Sequence, residues 1–169
     1  DEYGVKSWGY GGDYERETDP NSGNFCCNGI VSPDGSPKPA MWTCKYVYQP
    51  IEFTMLDKEG LRIGLKNRNF HRSTEGYVYS WEIKDEDGLI QSGAMDVPVM
   101  APGESVEVTI NAKKISFKSG AVYMLNLYSK ESAALPYAAP GHCHSSEQVV
   151  LNERVLPETP SAKGKAPVI

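Results

Sequence analysis

The sequence predicts an all-β protein: an immunoglobulin-like antiparallel β-sandwich of about seven strands, preceded by an arm of loop and short helix. Three observations carry that expectation. From Tyr46 onward the apolar residues recur with a period of two, turn-forming clusters separate the runs at short intervals, and no stretch between them keeps the period of a long helix. Before Tyr46 the character differs, because Gly4, Gly9, Gly11, Gly12, Gly23, Gly29, Gly35, Pro20, Pro33 and Pro37 interrupt any packed element.

The elements follow in chain order. Pro39 suits the first helical position, where its missing N–H costs nothing, and Ala40, Met41, Trp42, Cys44 and Lys45 continue a helix of about two turns. Ile51, Phe53 and Met55 then alternate with Glu52 and Thr54. Leu61, Ile63 and Leu65 alternate with Arg62 and Lys66, and Tyr77, Tyr79, Trp81 and Ile83 with Ser80, Glu82 and Lys84. Residues 89–97, the trio Val106, Val108 and Ile110, the trio Tyr123, Leu125 and Leu127, and residues 147–155 supply four more strands. The breaks "DKEG", "DEDG", "MAPGES", "FKSG" and "APGH" carry turn chemistry.

Trp81 is the expected buried tryptophan of the third strand. Neither 61–65 nor 123–127 contains a cysteine, so the inter-sheet cystine of antibody domains is missing and burial must hold the sheets, at about 25 cal/mol per Å². The organisation expected is an arm over 1–45, a sandwich over 46–156 and a Pro-rich linker, "PETPSAKGKAPVI", over 157–169.

Composition narrows the function classes. A chain of 169 residues, 40% of them hydrophobic, buries one good core. Its net charge of -5, with 17 scattered basic residues, argues against a nucleic-acid surface, and no apolar run reaches the roughly 18 residues of a membrane helix. Cys26, Cys27, Cys44 and Cys143 lack the spacing of a disulfide framework, so reduced, mostly buried thiols are expected. The cytoplasm and the periplasm both stay open. A chain opening at Asp1 without Met is the pattern expected of a piece of something longer.

Three groups of residues offer chemistry. Asp13, Glu15, Glu17 and Asp19 form an acidic cluster of the type glycoside hydrolysis draws on, but nothing near them would raise one pKa, and they read as solvated. In "GHCH" an extended backbone would point His142 and His144 the same way, toward a shared metal, although no third ligand is evident and a structural pair is the simpler reading. The third group is the loop "GNFCCNGIVSPDGSPKPA", dense in turns and aromatics. No nucleophile elbow, phosphate-binding loop or His-Glu-x-x-His helix is present.

The stretch "YGGDY" followed by "NFCCNGIVSPDGSPKPAMWTCKYVYQPIEF" resembles a segment of the bacterial β-galactosidases of glycoside hydrolase family 2, which are large multidomain enzymes with a catalytic (β/α)₈ barrel. "GLIQSGAMDVPVMAPGESVEV" and "LPYAAPGHCHSSEQVVL" resemble strands of the family's fourth domain. The resemblance implies that 1–45 close the barrel and that the sandwich follows it, joined to the remaining barrel and a C-terminal sandwich as partners. It also implies that both catalytic glutamates lie upstream of Asp1, so that no residue of this chain is catalytic and the chain alone is silent, and that residues 1 to about 35, deprived of the barrel, stay partly disordered or self-associate through their apolar groups. In the intact enzyme it gives the Phe25 carbonyl and the Asn28 side-chain oxygen to a monovalent cation, sodium, beside the galactose 6-hydroxyl, with magnesium a further candidate. A hard cation accepts such neutral oxygens. The spacer "ERETDPNSG" is longer than the family's pattern, and Cys27 stands where relatives often have Met. The reading from another class is an independent carbohydrate- or protein-binding sandwich with no enzymatic parent.

Overall fold

Alternating burial builds the strands. In the computed structural model, which describes residues 27–154 together with Gly4, Gly9, Asp13, Arg16 and 18–20, one helix precedes seven strands. These are α1 (Pro39–Val47), β1 (Ile51–Asp57), β2 (Arg62–Asn67), β3 (Tyr77–Asp85), β4 (Gly88–Met95), β5 (Ser105–Thr109), β6 (Met124–Glu131) and β7 (Cys143–Val150). The chain divides into two compact units, Asp1–Tyr48 and Gln49–Ile169.

In the second unit the strands form two antiparallel sheets, β1-β2-β5 and β4-β3-β6-β7. β4 lies beside β3 because their connection is too short to cross between sheets: Asp85 pairs with Gly88, leaving Glu86 and Asp87 as the turn. The Asp85 carboxylate accepts the Asp87 and Gly88 amides at 3.0 and 3.2 Å, which closes that turn.

The core lies between the facing rows. Ile51, Phe53, Ile63 and Leu65 come from one sheet, and Tyr79, Trp81, Ile83, Leu125 and Leu127 from the other, with Met95, Met100 and Ile110 closing the margins. Polar contacts tie the margins together. The Ile51 amide donates to Ser145 Oγ at 2.9 Å and the Ser146 amide to Gln49 Oε1 at 3.0 Å, joining β1 to β7. The fully buried Asn67 side chain donates to the carbonyls of Arg72, Met100 and Ala101 and accepts the Asn69 amide, so it fixes two loops at the end of β2.

Trp81, only 4% exposed, is the tryptophan expected in the core. Its partner across the β3–β4 ladder is Gly93, and a Cβ there would lie 2.9 Å from both Cζ2 and Nε1 of the indole. The glycine is therefore the gap into which the ring fits.

The structure corrects several expectations. β7 starts at Cys143 and ends at Val150, not 147–155, because its polar first half pairs with Ser129 and Lys130 of β6 and needs no apolar pattern to do so. β4 ends at Met95. The described thiols are not buried: Cys27 is exposed, while Cys44 and Cys143 are half-buried, since α1 contributes no buried residue and Cys143 stands at a ladder irregularity, and Cys26 lies outside the described residues. The linker over 157–169, Glu15, Glu17 and Phe25 lie outside the described residues.

Replacing Gly93 by alanine is expected to lower unfolding stability in urea by about 1–3 kcal/mol, the usual cost of overpacking a filled core. In a Trp81→Phe background the added loss from Gly93→Ala should shrink. An unchanged loss would show that the indole does not set the requirement.

Candidate functional site

Asn28 is exposed and stands in a loop folded by local hydrogen bonds. The Ser32 amide donates to the Ser36 carbonyl at 2.8 Å, the Gly35 amide to the Ser32 carbonyl at 2.9 Å and the Lys38 amide to the Ile30 carbonyl at 2.9 Å. Asp34 Oδ1 accepts both the Ser36 hydroxyl, at 2.6 Å, and the Ser36 amide, at 2.9 Å. The hydroxyl above all holds the Asp34 carboxyl below its ordinary range. This turn delivers Lys38 and Pro39 to the start of α1, with Pro39 in the first turn.

Neither Asn28 nor Gly29 is left-handed; besides Gly35, at φ 83°, the left-handed residue of the described part of the loop is Cys27, at φ 57°. Its carbonyl accepts a hydrogen bond from the Lys38 ammonium, so a fixed cation sits one residue from Asn28. The Asn28 amide oxygen is a suitable hard donor for a monovalent ion. Phe25 lies outside the described residues.

α1 presents apolar surface. Trp42 is 61% exposed and Tyr48 81%, with Tyr46 and Val47 about as open as Trp42.

The two histidines meet a different fate from the shared metal. Their rings lie edge to face with centroids 5.3 Å apart, but His144 Nε2 is 3.0 Å from Glu131 Oε2, and the same oxygen accepts from Arg72 Nη2 at 3.3 Å. Tyr77 stacks on His144 at 4.7 Å, and the Arg72 guanidinium lies 4.9 Å over the Tyr77 ring. Among the described residues no group of three or more His, Cys, Asp or Glu is placed to hold a metal ion.

Glu131 is the centre of this cluster, 2% exposed. Burial alone would raise its carboxyl, but the hydrogen bonds from His144 and Arg72 outweigh burial and hold it below the ordinary carboxylate value. Burial likewise pushes the Tyr77 phenol up, against the pull of Arg72. Gly76 makes room for this: its φ is +83°, and a Cβ would come within 3.2 Å of Glu131 Oε1. The sequence did carry a signal for Glu131, because it continues the inward alternation of Tyr123, Leu125, Leu127 and Ser129, and a carboxylate at such a position must find partners.

Comparison with known proteins accounts for both units. Residues 1–53 match the family described as glycosyl hydrolases family 2, TIM barrel domain, and residues 63–152 match that described as beta-galactosidase, domain 4. An Aeromonas hydrophila protein named beta-galactosidase is 33% identical over 85% of this chain, and an Enterobacter cloacae protein named beta-galactosidase 2 is 29% identical over all of it. A third, from Alteromonas mediterranea, is 31% identical over 85%. The chain spans only 14–16% of the length of these relatives. The class is thus a segment that joins sequence of the family 2 glycosyl hydrolase barrel domain to a beta-galactosidase domain 4. The chain belongs to the beta-galactosidase domain 4 family. The barrel match runs to Phe53, into β1, although Ile51 and Phe53 are core residues of the sandwich.

Folding holds Glu131 below its ordinary value near 4.5, so its stabilising contribution is complete above that value and is lost as the pH falls through the depressed folded value. Glu131→Gln should therefore be less stable than the parent chain at pH 7, with a shallower loss of stability on acidification below pH 4.5. Urea unfolding across that range checks it, and parallel curves for the two proteins would contradict it.

Proposed function

We propose that this chain is a non-catalytic part of a β-galactosidase that hydrolyses terminal, non-reducing β-D-galactose residues of β-galactosides with retention of configuration. The observation that carries the reading is the order of the two matches: a barrel segment over 1–53, then domain 4 over 63–152. In this reading 1–45 complete the catalytic barrel, 46–156 form the sandwich that buttresses it and 157–169 lead to the next domain. The exposed Trp42, Tyr46, Val47 and Tyr48 of α1 and its C-cap support it, because an aromatic helix face of this kind belongs against the rest of a barrel. An independent binding module leaves those aromatics unexplained.

Retaining hydrolysis uses two carboxyl groups about 5–5.5 Å apart, one as acid and base and the other as nucleophile. In the proposal both come from the remainder of the parent. This chain contributes Phe25 and Asn28, whose carbonyl and side-chain oxygens would help to hold a sodium ion in the intact enzyme, where the ion would supply a positive charge for the galactose 6-hydroxyl. Two protein oxygens do not outcompete water for sodium, so the chain alone is proposed to hold none. The Lys38 ammonium on the Cys27 carbonyl adds an electrostatic cost to a second cation nearby.

The purified chain is expected to leave a chromogenic β-galactoside intact and to carry no stoichiometric sodium by flame photometry. Turnover that copurifies with the chain, or one sodium per chain, would contradict the proposal.

A further inference from the structure

At the end of the sandwich that carries the β1–β2 turn, the stretch 111–118 and the residue after β7 enclose an open groove of about 410 Å³. Its base is apolar, made by Leu61, Ile115, Phe117 and Leu151, and Lys58, Lys113 and Lys114 stand around it with Glu59 as the one carboxylate. The volume falls within the range of ligand-binding clefts.

The groove is preformed. The Gln91 side chain binds both backbone groups of Lys113, donating to its carbonyl at 3.0 Å and accepting its amide at 2.9 Å. This spends the backbone edge and leaves the Lys113 side chain facing outward. The Lys118 amide donates to the Tyr123 hydroxyl at 3.2 Å, and Phe117, half exposed, rests edge-on against the Tyr123 ring at 4.9 Å.

Its charge is unmatched. The two other cations at this end are paired, Lys118 with Asp87 and Arg154 with Glu86, each at 3.7 Å. Lys58, Lys113 and Lys114 form no ion pair among the described residues, in a chain whose net charge is -5. Three ammonium groups around an apolar base complement carboxylates flanking aliphatic side chains.

We propose that this groove docks an extended acidic segment of a partner polypeptide, with leucine or valine side chains on the base and carboxylates at the three lysines. The groove belongs to the sandwich alone, so failure here leaves the reading of the parent enzyme untouched.

The test titrates the full chain with the peptide acetyl-Glu-Leu-Glu-Val-Glu-amide, followed by NMR, against a counterpart with lysine in place of each glutamate. Binding of the acidic peptide is expected, with none of the lysine peptide. The double variant Lys113→Glu, Lys114→Glu, both exposed and so compatible with folding, should weaken it by about tenfold or more, as should 0.5 M salt, a concentration that screens exposed charges within about a few ångströms. Ile115→Ser should weaken it at unchanged salt dependence. Absence of binding, equal binding of both peptides, or indifference to the lysine changes would overturn the proposal. So would binding that requires deletion of 155–169, which assigns the groove to the chain's own end, or a dimer in sedimentation that the lysine changes abolish, which assigns it to a second copy.

Discussion

The sandwich depends on burial between two facing apolar rows with no covalent staple between them. Cys27, Cys44 and Cys143 are free thiols, and none bridges the sheets. An immunoglobulin-type domain usually shares this duty between a cystine and a tryptophan. Here Trp81 carries it with its neighbours, and burying a side chain of that size contributes about 4–6 kcal/mol as an upper estimate. That is comparable to the whole net stability of a small domain. The fit of the indole over Gly93 therefore ties the packing of Trp81 in the core to the pairing of β4 with β3.

Two buried polar centres then fix the loops that the apolar core leaves free. Asn67 binds backbone groups from the segments before β3 and before β5. Glu131 gathers Arg72 from the β2–β3 loop and His144 from β7. Each is satisfied by several partners, so each specifies a loop arrangement and does not merely tolerate burial.

The strands were legible because each has one buried and one wet face, and a period of two is the direct imprint of that asymmetry. The helix was legible from Pro39, although it runs on to Val47. The early start of β7 was not, since Cys143, Ser145 and Ser146 pair through their backbones, His144 falls at the register shift, and the stretch carries no apolar signature. The partnership of Glu131 was only half legible. Its own inward position follows from the alternation, but Arg72 lies 59 residues away and no local pattern joins them. The spacing of His142 and His144 predicts neighbouring rings, and their centroids lie 5.3 Å apart; what the spacing does not show is that Glu131 and Tyr77 occupy His144 from two sides.

The family's fourth-domain match covers a sandwich with its own closed core, and α1 of the other unit carries exposed aromatic residues. The core from Ile51 to Leu127 is sufficient for a cooperative fold. Thermal unfolding of a chain trimmed to residues 49–154 tests it most directly. A single cooperative transition is expected, with a midpoint that matches that of the full chain to within about 4–8 °C, the shift that corresponds to about 1 kcal/mol. A broad transition without a defined midpoint, or a sandwich that folds only when residues 1–48 are present, would contradict it.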